Sequence, residues 1–425
     1  MKYDYIIVGG GIAGIATAEI FSRSGFSVCI LERNKKLCNE SSGNHHEWFH
    51  FGSLYSILPK RDYVRILVGG IDDLLLYYRD FKNMNLCVNN KGSLIFKNDS
   101  KKSWFKDERL NYLFNLKKSS NTWNSQVKNF IKIHYNFFKY DWRKGEASRY
   151  IPITSIKKKI NQKNLTKKFF LNKKTYNRVS SFDCPMESKL IINDLLQSYI
   201  SYGGKIKLNF NVKKIRETNE LISIFDQKNN KIECKKIIFA NGSGINNFLK
   251  KEMVSSYLSP LIIVYPNILN KNIIIMTKNK SDAINHIFHE HKGRKYSLIG
   301  GGDFIEAKNT KNNIEKLSKN LIRLANKSFK KINPKRLHVY FGVKNEVNKN
   351  QNNKRNYLYT IKKIKRNIYY INPGKFSLAF SLAINTFKKI IGHYPNPTVN
   401  INKKIIPDKY IQGNYHKNFI LKMPL

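Results

Sequence analysis

The sequence predicts an α/β protein, α+β when taken whole: one unit on a parallel central sheet, interleaved with a unit built on a mostly antiparallel sheet. Three observations predict it. The chain opens on a strand, glycine turn, helix and second strand within about thirty residues. Strand and glycine-turn segments return near residues 236 and 368, and the stretch between them holds five short β-rich runs separated by Asn, Lys and Gly turns. A length of 425 residues exceeds one ordinary hydrophobic core and favours two such units.

The opening elements follow in order. Residues 5–8 (YIIV) are an apolar run suited to a buried parallel strand. Gly9, Gly11 and Gly14 then give the G-x-G-x-x-G spacing directly before a helix. Gly9 allows the tight turn, Gly11 lets the backbone approach a diphosphate, and Gly14 lets the helix lie close to the sheet. The helix start at Ile12 and Ala13 offers free amides and a positive dipole end to that diphosphate. Gly25 ends the helix and residues 28–31 form the second strand. Glu32, with Arg33 beside it, closes that strand eighteen residues after Gly14, where a carboxylate accepts from ribose hydroxyls and repels a 2′-phosphate. This is a Rossmann-like dinucleotide unit.

Later segments choose the dinucleotide. Ser41, Ser42, Gly43 and Asn44, followed by His50-Phe51-Gly52-Ser53-Leu54-Tyr55, resemble the segment after the first βαβ unit in the D-amino-acid oxidase (DAO) family of FAD-dependent oxidoreductases. The stretch ESKLIINDLLQSYISYGGKIKLNFNVKKI is similar to that family's helix, Gly turn and strand pair, which implies an adenine contact by the main chain of Val212. KKIIFANGSGINNFL resembles the strand that returns to the dinucleotide, with Ala240, Asn241 and Gly242 at the matching positions. NIYYINPGKFSLAFSLAINTFKKI resembles the C-terminal strand, glycine turn and helix beside the flavin. A helix beginning at about Ser377, after Pro373, Gly374, Lys375 and Phe376, presents a positive dipole end and an ammonium where reduced flavin carries negative charge. The resemblance implies FAD as cofactor. It also implies a discontinuous FAD-binding domain at 1–62, 181–252 and 354–395, a substrate domain at 63–180 and 253–353, and a tail at 396–425 that packs back on the body.

The flavin carries the hard chemistry, so the protein must grip the substrate and, for an alcohol, supply one base. His50 is the leading polar residue, as base, orienting group or flavin tether, with a structural histidine as the alternative. His45 and His46 crowd it. Lys344 stands near where relatives carry an Arg for a substrate carboxylate; lysine is a point charge rather than a bidentate fork, and Arg355 is the second anion-gripping candidate. His286, His289 and Tyr296 fall on predicted strands, with packing favoured over a role in the cavity. HIFHEH lacks the H-E-x-x-H order, and no metal is assigned.

The function expected is oxidation of a C–N or C–OH bond of a small anionic substrate, an amino acid, hydroxy acid or sugar-derived acid. Whether oxygen or another acceptor takes the electrons stays open. Two other readings stand beside it: a flavoprotein that binds or modifies RNA, and one that holds FAD without turnover. Lys and Arg outnumber Asp and Glu 77 to 29, a net charge of +48, which by itself points to nucleic acid or an anionic membrane. The lysines come mixed with Asn and Ile throughout, as AT-rich codons produce at tolerant surface positions, and we set this against a nucleic-acid role. Five scattered cysteines without a C-x-x-C pair fit a reducing cytoplasm. No apolar run reaches the ~18–20 residues of a membrane span, and only Met1 and Lys2 precede the first strand, leaving no room for a leader.

Overall fold

Strand β1 (Lys2–Val8) lies in the middle of an eight-stranded sheet, flanked in parallel by β2 (Val28–Leu31) and β13 (Lys231–Phe239). The computed structural model describes residues 2–50, 85–88, 94–97, 110–114, 167–180, 183–277, 282–329, 332–348, 358–395 and 409–423. Arg355, Gly52 and most of the Lys- and aromatic-rich stretch 101–174 lie outside the described residues.

Two further parallel strands, β10 (Lys205–Lys207) beside β2 and β21 (Ile368–Asn372) beside β13, complete the parallel core. The expectation of a parallel sheet holds for these five strands. Outside this parallel centre, β11 (Val212–Glu217), β12 (Ile222–Asp226) and β20 (Thr360–Lys365) join as antiparallel hairpin partners, because two- to four-residue turns can only reverse the chain. Ile6 and Ile7 point to opposite faces and both are fully buried, as a strand covered on both sides requires.

One face of this sheet carries α1 (Ile12–Arg23), α2 (Ser188–Ser201) and α4 (Ala379–Ile391). Every residue of α1 is buried, so it reads as apolar all round with small residues where neighbours press close. Its two charges answer each other: Arg23 Nε lies 3.0 Å from Glu19, which also accepts from Ser198 Oγ at 2.7 Å on α2. Gly25, at φ +91°, ends α1 as expected, with the Phe26 amide returning to the Phe21 carbonyl.

The second sheet has nine strands. Its spine is β14 (Val254–Val264), antiparallel to β19 (Leu337–Val347) over eleven residues and to β17 (Arg294–Gly301); β16 (Ile284–His291) and β15 (Asn272–Met276) follow. All five β-rich runs of the sequence are strands here. Then come β6 (Leu110–Phe114), parallel to β15, and the hairpin of β7 (Lys167–Leu171) and β8 (Lys174–Ser180), with β18 (Ile305–Glu306) at the other end. Small ribbons pair β3 (Trp48–Phe49) with β9 (Cys184–Pro185) and β4 (Asn85–Val88) with β5 (Leu94–Lys97).

The sequence reading gave no helix in this part, yet α3 (Lys311–Ser328) covers one face of the sheet. Thr310 caps it by accepting from the Asn313 amide, and only Leu321 and Ala325 are fully inside, so its apolar stripe is thin against many lysines. A short helix, α5 (Tyr415–Ile420), brings the C-terminal tail back onto the body. Among the described residues no helix is long and apolar enough to cross a membrane.

Candidate active site

A cavity of about 300 Å³ lies where the C-terminal end of β1 meets the second sheet. The glycine turn forms one wall. Gly9 sits at φ +112°, and a Cβ there would lie 2.7 Å from the Ala240 carbonyl oxygen. Gly14 is excluded from the cavity; its role is packing, since a Cβ would fall 2.0 Å from the Gly9 carbonyl oxygen. Gly11 differs from both. Its φ of −80° suits any residue, and a Cβ would stand 3.1 Å from Ser42 Oγ at the cavity wall. Ser42 Oγ accepts from the Ile12 amide at 3.0 Å, and Ile12 and Ala13 line the cavity at the helix start, where first-turn amides have no intrahelical acceptor.

Glu32 stands beside this turn, almost fully buried. Its Oε2 accepts from the Gly10 amide at 2.8 Å, and its Oε1 accepts from the Asn34 amide and side chain at 2.8 Å each. These bonds fix the carboxylate at the cavity edge. Arg33 lines the same edge, paired with Glu40. Ser41, Asn44, Val212, Ala240 and Gly242 complete this end.

At the other end Gly374, Lys375, Phe376 and Ser377 line the cavity. Gly374 takes φ +65°, with its amide on Asn372 Oδ1 at 3.1 Å. The helix expected at about Ser377 begins as a single 3-10 turn, Phe376–Leu378, and becomes α-helical at Ala379. Leu378, Phe380 and Leu382 are fully buried, so the segment serves the core and the cavity at once.

Three histidines crowd the middle. The Glu47 amide donates to His45 Nδ1 at 2.9 Å, and the Trp48 amide donates to His46 Nδ1 at 3.2 Å. A neutral imidazole that accepts at Nδ1 carries its proton on Nε2. Trp48 stacks on His50 with ring centroids 4.6 Å apart. His50 Nδ1 lies 3.9 Å from Oδ2 of Asp183, whose carboxylate also accepts from the Tyr112 hydroxyl. Burial lowers the pKa of all three histidines. For His46 the charges of His50, Lys344 and Lys375 add to burial; for His50, Asp183 opposes it and Lys375 and Lys344 reinforce it. The imidazoles are therefore neutral near pH 7.

Lys344 reaches the cavity from β19, opposite Tyr257 in the β14 register. Sequence reasoning thus placed His50, Lys344 and every described cofactor candidate except Gly14 around one cavity. It missed Asp183, whose partner lies more than a hundred residues away, and the cavity-lining Asn285, Asn345 and Asn372, which carry no motif. His286 and His289 do not line it. His286 is bonded to the Lys271 carbonyl and to Ser297 Oγ, and His289 stacks on Tyr296, which bonds His416. The packing reading of these three residues was right.

The residues present fit a flavin dinucleotide: glycines whose added Cβ would fill the turn, a helix start, a fixed carboxylate, and a second helix start at the far wall. Residues 4–120 match the family model of the FAD dependent oxidoreductases, DAO. The N-terminal part of the chain thus carries a match to the DAO family of FAD-dependent oxidoreductases. Over 96 residues it is 32% identical to a mitochondrial L-2-hydroxyglutarate dehydrogenase of Caenorhabditis briggsae, a match spanning 22% of this chain and only 21% of that relative. Two solved structures share the fold across almost the whole chain. NikD, an amino acid oxidase of nikkomycin biosynthesis, superposes with TM-score 0.63 at 11% identity, covering 97% of this chain and 98% of that one. The L-alpha-glycerophosphate oxidase of Mycoplasma pneumoniae, solved with FAD bound, gives 0.64 at 13% identity, covering 96% and 99%.

Proposed function

We propose that this protein oxidises the C–OH bond of a small 2-hydroxy carboxylate, with FAD held between the glycine turn and the start of α4. The observation that carries the reading is His50, neutral and backed by Asp183, beside Lys344 in one cavity. An alcohol must lose a proton as its hydride leaves, and a neutral imidazole with a carboxylate behind it does that work; an amine already deprotonated needs no such pair. FAD, when bound, supplies the hydride acceptor.

In this reading Gly9, Gly11, Ile12, Ala13, Ser41, Ser42 and Asn44 hold the diphosphate, while Glu32, Arg33 and Val212 hold the ribose and adenine. Ala240, Gly242, Gly374, Lys375, Phe376 and Ser377 close on the flavin, with Gly14 serving only to seat the helix. His50 takes the hydroxyl proton, and Asp183 orients its ring and stabilises the imidazolium that forms. Lys344 attracts the substrate carboxylate as a point charge. The first sheet forms the discontinuous FAD-binding domain and the second the substrate domain. The relation to L-2-hydroxyglutarate dehydrogenase supports the hydroxy acid over the amino acid.

Anaerobic mixing of the flavin-loaded protein with matched 2-hydroxy, 2-amino and sugar acids tests the proposal. A hydroxy acid should bleach the oxidised flavin band. Bleaching by the amino acids alone, or by no acid in the panel, would overturn it.

A further inference from the structure

The segment that carries the three histidines does not hold itself in place. Glu47, in its middle, is fully buried and takes φ +53°, a left-handed conformation unfavourable for a residue with a side chain. Its carboxylate is met from two directions. Ser188, at the start of α2, donates its amide at 3.1 Å and its hydroxyl at 2.8 Å, and Lys417 of α5 places Nζ 2.7 Å from Oε2. His416 Nε2 lies 3.6 Å away. Lys417 also bonds Glu187, so a buried ammonium is shared by two carboxylates.

The tail that delivers this ammonium is bound at several places to the same stretch. The Leu37 amide donates to the Tyr410 carbonyl at 2.7 Å, the Gln412 amide returns to Leu37 at 2.9 Å, and the Tyr415 amide donates to Gly43 at 3.0 Å. Arg294 of β17 holds the far end through the Ile420 carbonyl at 2.9 Å. Burial alone would push Glu47 toward its neutral form. The Lys417 charge, with the Ser188 hydrogen bond, reverses this and leaves the carboxylate ionised, and Lys417 in turn is held charged by Glu47 and Glu187 against its own burial.

We propose that Lys417 is a positioning residue of the active site: by neutralising Glu47 it fixes the turn whose amides at Glu47 and Trp48 lock His45 and His46 with their protons on Nε2. The C-terminal helix thereby completes a cavity it does not line. Removing the ammonium leaves an uncompensated buried carboxylate, which must find water or a proton, and the turn at Glu47 opens with it. The two imidazoles then lose the amide donors that set their tautomer. That this matters for turnover rests on the proposed reaction; the effect on the histidines does not.

The test uses the full-length, flavin-loaded protein with ¹⁵N-labelled histidine, of which there are ten, in Lys417→Met, Lys417→Arg and the double variant Lys417→Met/Glu47→Gln. The double variant leaves no unpaired buried charge and keeps a folded protein in hand. Ring-nitrogen spectra should show the Nε2–H pattern of His45 and His46 lost in Lys417→Met and kept in Lys417→Arg and in the double variant, where the neutral amide at position 47 needs no ammonium, with His286 unmoved as a reference. The value of kcat/KM should fall at least tenfold in step with that pattern. A shifted pattern with unchanged turnover would support the positioning role and count against these histidines in the reaction. Wild-type His45 and His46 signals in a folded Lys417→Met protein, or their loss in the folded double variant, would overturn the proposal.

Discussion

Two glycines three residues apart should fail in different ways when each gains one methyl group. In Gly14→Ala the new Cβ would lie 2.0 Å from the Gly9 carbonyl oxygen, far inside contact distance, and that oxygen belongs to a turn that cannot retreat because Gly9 itself abuts Ala240. Alanine would gain about 1 kcal/mol in helix propensity, but overpacking against backbone costs about 1–3 kcal/mol or more, so the protein itself should be destabilised. In Gly11→Ala the backbone is already at φ −80° and the nearest atom is a serine hydroxyl at 3.1 Å. The loss there is under about 1 kcal/mol, that of a poorer N-cap. The methyl group instead occupies the place where the diphosphate must approach the turn, and FAD affinity should fall about ten- to a hundredfold, or 1.4–2.8 kcal/mol. Thermal unfolding of flavin-free protein and fluorescence titration with FAD measure the two effects separately. A Gly11→Ala protein that unfolds early but binds FAD at wild-type strength would refute the assignment of this turn to the cofactor.

His50→Asn should slow flavin reduction by about 10²–10⁴-fold while leaving FAD binding intact. In the wild type the reduction rate should rise with pH as His50 loses its proton, with an apparent pKa below 6.5, and this dependence should vanish in the variant. Lys344→Gln should lower kcat/KM about ten- to a hundredfold, mainly through KM, with Lys344→Arg retaining most of the affinity. Burial depresses His286 from 6.5 to about 4, so the folded state refuses a proton that the unfolded chain accepts. Stability should therefore be full above pH 6.5 and decline by roughly 3 kcal/mol down to pH 4, a loss that denaturant titrations of wild type and His286→Gln would compare.

The parts of this molecule that were legible in the sequence are those whose physics is local. Gly9, Gly11 and Gly14 work within one turn of chain, and the apolar runs that became β14 to β17 and β19 needed only their own residues and the turns between them. Helix α3 was hidden because its buried stripe is little more than Leu321 and Ala325 among lysines, so its pattern becomes visible only once the sheet beneath it is known. The partners of the histidine turn were hidden for another reason. Asp183 meets His50, and Lys417 meets Glu47, across separations of more than a hundred residues, and a carboxylate or lysine carries no periodicity that would announce such a meeting. The histidines themselves were found because they stand in a run, but which nitrogen each presents is set by the backbone of Glu47 and Trp48, which only the folded turn shows.

A crystal structure of the flavin-loaded protein tests the central claim most directly. The account predicts the diphosphate against residues 9–13 and the redox ring between the histidine turn and Gly374 to Ser377, within reach of His50 and Lys344. A ring bound elsewhere, or a cavity that stays empty in protein saturated with FAD, would contradict it.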